Sequence, residues 1–164
     1  MTRRGAIPLA LCLCALPACA LQPVYGGGNS AAAVTLSQIS VPLIPDRAGY
    51  LVRQALLDRV GEAGTAAYQL NVKLDDDITG FGVRGDEAIT RERRTLRARW
   101  QLVELASGNV LIDATSRSDA GIDVVSSDYA VVAAEDTALE RLAREIADDM
   151  TARIALYAAG DGRP

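Results

Sequence analysis

Two segments alternate apolar and polar residues, and this alternation constrains the fold more than any other feature of the chain. The segments read AYQLNVKLD, from residue 67, and RRTLRARWQLVEL, from residue 93. A period of two places alternate side chains on opposite sides of a β-strand. One covered face and one wet face are typical of an antiparallel sheet. The residues expected to face the core are Tyr68, Leu70, Val72, Leu74, Leu96, Ala98, Trp100 and Leu102.

Two further strands are predicted from local patterns. Residues 34–44 alternate roughly, contain β-branched side chains and precede Pro45. The turn ASGNV is typical of a hairpin and leads into the segment VLIDATSRS, where Val110, Ile112 and Ala114 should point inward. Residues 76–90 contain three glycines and are predicted to form a long, mobile hairpin loop or the end of a ribbon.

Two segments have helical periodicity. Residues 46–61 carry an apolar stripe, with Asp46 as the predicted N-cap and Gly61 just past the last turn. Residues 129–158 repeat apolar side chains every three or four positions, from Leu139 to Tyr157. We therefore predict an α+β fold in which two helices pack on one face of a four-stranded, mostly antiparallel sheet, in the order β-α-β-β-β-α.

The N-terminus has the pattern of an export signal. Two arginines precede an apolar run of about ten residues, which is too short to span a membrane. The run ends in Leu16-Pro17-Ala18-Cys19, which resembles the lipobox of bacterial lipoproteins. In that class the cysteine becomes the first mature residue and carries an N-acyl diacylglycerol. The alternative is an ordinary signal peptide, with Cys19 an unmodified thiol.

This pattern divides the chain into four parts. They are a signal peptide over residues 1–18, a lipidated cysteine with a flexible tether over 19–33, one domain over 34–158 and a disordered tail over 159–164. Ala20 stands where an aspartate would retain such a lipoprotein in the inner membrane, so we expect the periplasmic face of the outer membrane.

Composition argues against several functions. The chain has no histidine, its three cysteines all lie within the first nineteen residues, and no Gly-x-Ser-x-Gly motif is present. The usual general base and nucleophiles are therefore missing, so we expect no enzyme and no cofactor. A formal net charge of −4 argues against nucleic-acid binding. Asp75 to Asp77 lack the spacing of a calcium loop, so no metal site is predicted.

The chain resembles the lipopolysaccharide-assembly lipoprotein family LptE, also called RlpB, in its alphaproteobacterial form. The resemblance depends on the order and spacing of CALQPVYGG, VPLIPDRAGYLVRQALLDRV, AYQLNVKL, RTLRARWQLVELASGNVL and SSDYAVVAAEDTALERLAREIADDMTARIALY. It implies a non-catalytic plug inside an outer-membrane β-barrel of the LptD type. Such a plug helps the barrel to assemble and assists delivery of lipopolysaccharide to the cell surface. The alternative is an auxiliary lipoprotein of another, ABC-type, lipid-trafficking system.

The wet face of the predicted sheet carries most of the candidate binding residues. Guanidinium groups bind phosphate through paired hydrogen bonds, and lipid A carries phosphates. The alternatives are contact with the wall of a partner barrel, or a solvated face on which the arginines pair with Asp75 and Asp113. Phe81 either docks on a partner or folds back to anchor its loop. The basic candidates are Lys73, Arg93, Arg97, Arg99 and Arg117.

Overall fold

A computed structural model describes residues 30–83 and 89–160 of the chain. The predicted signal peptide, Cys19 and most of the tether lie outside the described residues, as do Gly85 and the last four positions. The elements are α1 (Ala31–Leu36), β1 (Ile39–Ser40), α2 (Asp46–Val60), β2 (Tyr68–Val83), β3 (Ile89–Glu104), β4 (Val110–Asp123) and α3 (Asp128–Ala158).

The four strands form one sheet in the order β1-β2-β3-β4. Strand β1 runs parallel to β2, and the other two neighbouring pairs are antiparallel. The helices pack against the sheet, so the predicted α+β class is confirmed. The described part contains three helices where the sequence predicted two.

The strand predicted over residues 34–44 is much too long. Residues 31–36 form α1, because Ser30 accepts a hydrogen bond from the Ala33 backbone at 3.1 Å and three alanines favour a helix. Only Ile39 and Ser40 pair with β2. Helix α2 follows with the predicted end at Gly61, although Pro45, and not Asp46, is its N-cap.

The remaining strands are longer than predicted. Strands β2 and β3 continue as a paired ribbon through most of residues 76–90. Of the two predicted alternatives, the end of a ribbon is therefore correct for the described residues, and the mobile loop is not. Strand β4 extends to Asp123. Ile112 and Ala114 are partly buried as predicted, whereas Val110 is 50% exposed because the register shifts between Leu102 and Val103.

The core lies between the sheet and α2 and α3. The predicted inward residues of β3, from Leu96 to Leu102, are all fully buried. The predicted stripe of α3 is also buried from Leu139 to Ile154, whereas Tyr157 at its end is only partly buried. At the centre, the Trp100 indole donates to Ser116 Oγ at 2.9 Å, and that hydroxyl donates to Asp149 at 2.5 Å. Buried polar groups need such partners. The sequence analysis did not identify Ser116, which lies in this core.

Replacing Gly49 by alanine should destabilise the fold. A Cβ at this position would lie 2.5 Å from the Ile44 carbonyl oxygen and 2.7 Å from its carbon. Both are backbone atoms, so α2 would have to move from the preceding segment, at about 1–3 kcal/mol. Chemical denaturation measures the loss. Gly64→Ala is the matched control, because a Cβ there meets nothing within 4 Å. Equal stability of the two variants would contradict this packing.

Candidate functional site

The outer face of the sheet, which points away from α2 and α3, is the candidate site. It is formed by the odd-numbered residues of β2, β3 and β4, since the even-numbered partners Leu70, Leu102 and Ile112 face the core. Its charged side chains are exposed, and the described helices pack on the opposite face. Strand register therefore decides which charges meet on this surface.

Register brings four of the predicted basic residues onto two adjacent rungs. Lys73 lies directly opposite Arg99 on one rung, and Asp75, Arg97 and Arg117 form the next. The fifth, Arg93, lies farther along β3 opposite Thr79. Like charges directly opposite each other disfavour a sheet. These two rungs therefore carry four basic groups beside Asp75, on a face that also contains Asp77, Asp113, Asp119 and Asp123.

Two of these arginines have carboxylate partners. Arg99 Nη2 lies 3.4 Å from Asp113, which also accepts from Gln101 at 2.8 Å. The hydrogen bond from Gln101, followed by that from Arg99, lowers the pKa of Asp113. Pairing of Arg99 with Asp113 was one of the predicted alternatives, and this contact is present. Because both groups are largely exposed, the pair contributes little to stability.

Asp119 lies two residues after Arg117 in β4 and accepts hydrogen bonds from side chains of β3 and β4. It accepts from Arg117 at 3.0 Å and from the Thr95 hydroxyl at 2.5 Å. These two bonds, with Arg117 the larger cause, lower the pKa of Asp119. The guanidinium of Arg117 is thereby held along β4, at the edge of the sheet.

Lys73, Arg93 and Arg97 differ from these two. Within residues 30–83 and 89–160, none of the three has a carboxylate oxygen within 4.0 Å. The predicted pairing of an arginine with Asp75 is therefore not formed, although Asp75 is the direct neighbour of Arg97 on β2. Among the described residues, no carboxylate therefore competes with an added anion at Lys73 or Arg97, and Arg93 lies against the Phe81 ring.

Phe81 lies in β2 and not in a loop. The Arg93 guanidinium carbon is 5.3 Å from the centre of its ring, a cation–π contact, and the residue remains 39% exposed. The ring lies at one end of a shallow depression of about 540 Å³. The depression is lined by Asp75, Asp77, Thr79, Phe81, Arg93, Thr95, Arg97 and Arg117.

The sequence analysis missed one charged pair on the opposite face. Arg94 donates to both oxygens of Asp76, at 2.9 and 2.6 Å, and to the Glu135 carbonyl in α3 at 2.9 Å. The hydrogen bond to Asp76 raises the pKa of Arg94. Both residues occupy inward positions of the alternating pattern. A charged residue at an inward position is the sequence feature that could have predicted this pair. Asp76 therefore stabilises the ribbon through its pair with Arg94. Among the described residues, no group of acidic side chains is placed to hold a metal ion.

A sheet with one helix-covered face and one exposed, charged face defines a small α+β domain. The chain belongs to the LptE family, whose model is described as lipopolysaccharide-assembly and matches residues 36–154. It is therefore a lipopolysaccharide-assembly lipoprotein in the general sense of that family. A search of the curated proteins found no match.

Solved structures of bacterial lipoproteins share the fold. A lipoprotein from Caulobacter crescentus CB15 is 27% identical with a TM-score of 0.67, covering 80% of this chain and 99% of that one. A minor lipoprotein from Acinetobacter baumannii has 14% identity and a TM-score of 0.55, covering 73% and 89%. The rare lipoprotein B from Shewanella oneidensis has 13% identity and a TM-score of 0.51, covering 75% and 92%.

None of the helices in the described residues combines the length and the hydropathy that crossing a bilayer requires.

Proposed function

We propose that this chain plugs an outer-membrane β-barrel of the LptD type, helps that barrel to assemble and assists delivery of lipopolysaccharide to the cell surface, without catalysis. The observation that carries the proposal is the exposed outer face of a domain of the LptE family, on which basic side chains stand among aspartates. A plug needs a folded domain with an exposed surface for its cargo or for the barrel wall. The outer face supplies such a surface along the whole ribbon.

Lipopolysaccharide would contact the outer face through its phosphates. Lys73, Arg93, Arg97, Arg99 and Arg117 offer charge-assisted donors, and Lys73, Arg93 and Arg97 have no carboxylate partner among the described residues. A phosphate between Arg97 and Arg117 would relieve the repulsion of two like charges on one rung. Phe81 would meet an apolar part of the ligand or of the barrel.

The same proposal includes an anchor at Cys19. An N-acyl diacylglycerol there would hold the domain at the periplasmic face of the outer membrane, since each buried methylene contributes about 0.8 kcal/mol. A serine at this position cannot be acylated in the same way. Cys19→Ser should therefore abolish the incorporation of labelled fatty acid into the chain, whether or not the domain stays bound to a barrel.

Co-purification tests the partner. Envelopes that contain a C-terminally tagged chain are extracted in mild detergent, and captured proteins are identified by mass spectrometry. A large outer-membrane barrel in about equal amount supports the proposal. Capture of an inner-membrane transporter in its place would contradict it and support an auxiliary role in an ABC-type lipid-trafficking system.

A further inference from the structure

We infer that the partner barrel recognises this domain on the helix side of the far end of the ribbon, through a polypeptide segment that combines apolar side chains with a basic one. This inference rests on the proposed function, and it names the surface that binds the protein partner. We call this surface the distal step. It is defined by the exposed apolar residues Ile78, Val125, Tyr129 and Val132 and by the acidic residues Glu92, Asp128 and Glu135.

The two long helices run side by side but do not begin at the same level. Arg47 in the first turn of α2 contacts Asp136, and Arg59 in its last turn contacts Asp148. The same interval separates the two contacts on both helices, from 47 to 59 and from 136 to 148, so the helices are parallel. Helix α2 begins one residue before Arg47, whereas α3 begins eight residues before Asp136. The first two turns of α3 therefore extend past the start of α2.

The buried stripe of α3 continues onto these two turns. Val132 lies seven residues before Leu139, and Tyr129 lies three residues before Val132, which are spacings that keep side chains on one face of a helix. Leu139 is fully buried, whereas Val132 is 54% exposed and Tyr129 is 86% exposed. The face of α3 that is buried in the core farther along the helix is thus open to solvent at its start.

The ribbon forms the other side of the distal step. Ile78 is 40% exposed on the helix side, and its partner across the strands is Arg94, which donates to the Glu135 carbonyl at 2.9 Å. One turn of α3 separates Glu135 from Val132. Val125, also half exposed, lies in the connection from β4 to α3. Contiguous exposed apolar side chains of this kind mark interaction sites, and tyrosine is enriched in them.

The charge around the apolar side chains is negative. Neither Asp128 nor Glu135 takes part in an ion pair with any residue that the structure covers. The basic residues beside them, Arg47 and Arg94, are each paired with an aspartate. Such a surface repels the phosphates of lipids, and it would bring like charges together if two copies of the chain met there. The complementary occupant is a polypeptide segment with a lysine or arginine beside its apolar side chains.

Glu92 gives an independent indication of a basic group. Its Oε2 atom is enclosed and has no hydrogen-bond partner in the part of the chain that the structure describes. The residue faces the helix side, opposite Gly80 and diagonal to Ile78. A buried polar atom without a partner is unfavourable and is rare in folded proteins. A lysine or arginine of the barrel would supply the missing donor at the distal step.

Co-purification with matched variants tests the inference. Tyr129→Asp with Val132→Asp is introduced into the C-terminally tagged chain, and the barrel captured from detergent-extracted envelopes is quantified by mass spectrometry. We expect at least about tenfold less barrel than with the wild type, as for central apolar contacts of an interface. The circular dichroism spectrum should not change, because both side chains are exposed. Leu43→Asp with Leu105→Asp adds the same charge at exposed positions outside the step and should capture the wild-type amount.

Charge reversal tests the sign of the partner. Asp128→Lys with Glu135→Lys should lower the captured barrel by about two- to fivefold, the effect of losing an exposed ion pair. Asp58→Lys with Glu62→Lys is the control, because both residues are exposed at the other end of α2 and the net charge changes equally. Equal capture by these two variants would mean that no basic group of the barrel lies at the step.

Photocrosslinking gives a readout that does not depend on the charged variants. The photoreactive residue p-benzoylphenylalanine replaces Tyr129, an exposed aromatic side chain of similar shape. We expect an adduct with the barrel in higher yield than from the same residue at Gln54, which is exposed on α2. An adduct with lipopolysaccharide alone would contradict a protein partner at the step.

The outcomes separate the distal step from the proposed function. A wild-type chain that captures no barrel overturns the proposed function and this inference with it. A barrel captured equally by the wild type and by the Tyr129→Asp, Val132→Asp variant overturns the distal step alone. A wild-type chain that elutes as a dimer while this variant elutes as a monomer assigns the step to contact between two copies and also overturns the inference.

Discussion

Trp100→Ala is expected to lower the free energy of unfolding by about 3–5 kcal/mol, the range found when buried tryptophan or phenylalanine is reduced to alanine. Trp100 is fully buried among the side chains of the sheet and helices. Its removal leaves a cavity and takes away the donor to Ser116. This is the largest single effect on stability that we expect. It is a large share of the total, because small domains are stable by only about 5–15 kcal/mol.

Urea denaturation followed by far-ultraviolet circular dichroism measures this loss, since Trp100 is the only tryptophan and its fluorescence disappears with the substitution. Leu43→Ala is the control, because Leu43 is 86% exposed and a surface change should stay within about 0.5 kcal/mol. A Trp100→Ala midpoint equal to that of the Leu43 variant would mean that Trp100 is not in the core.

Arg97→Glu with Arg99→Glu should weaken lipopolysaccharide binding by at least about tenfold, which corresponds to roughly 1.4 kcal/mol. The two changes replace two donors on adjacent rungs by carboxylates that repel phosphate. A hydrogen bond to a charged group contributes about 1.5–3 kcal/mol, so even one lost contact accounts for that factor. Binding is measured with purified protein and lipopolysaccharide at fixed ionic strength, because surface charges are screened by salt.

Arg141→Glu with Arg144→Glu is the matched control for charge. Both residues are exposed on α3, on the helix side of the molecule, and the net charge changes by the same amount. We expect this variant to bind lipopolysaccharide as the wild type does. Equal weakening by both pairs would show that net charge and not the outer face decides binding. An unchanged affinity of the Arg97–Arg99 variant, with an intact fold, would contradict the proposed site.

Alternation allowed the centre of the fold to be predicted. The segments around Leu70 and Trp100 read directly as strands with one buried face, and the stripe of α3 read as a helix. Alternation weakens where the chain becomes GFG at residues 80–82, so the ribbon was only one of two alternatives there. In α1, helix-forming alanines precede the β-branched residues from which a strand was predicted.

The candidate site was predictable as a set of basic residues on the wet face of the sheet, but the pairs that they form were not. Their grouping depends on the register between strands, which places Arg97 beside Arg117 and Lys73 beside Arg99. Register is set by contacts distant in sequence and is not readable from one strand. For the same reason the pairing of Asp76 with Arg94, and the role of Asp119 in holding Arg117, appeared only in the folded chain.

Photocrosslinking in living cells tests most directly the claim that the outer face contacts lipopolysaccharide. The photoreactive residue p-benzoylphenylalanine replaces Thr115, which lies on the outer face beside Arg99, or Gln54, which is exposed on α2. We predict a lipopolysaccharide adduct from position 115 and none from position 54. Adducts from both positions in equal yield, or from neither while the protein is present at its normal level, would contradict the proposed function of this face.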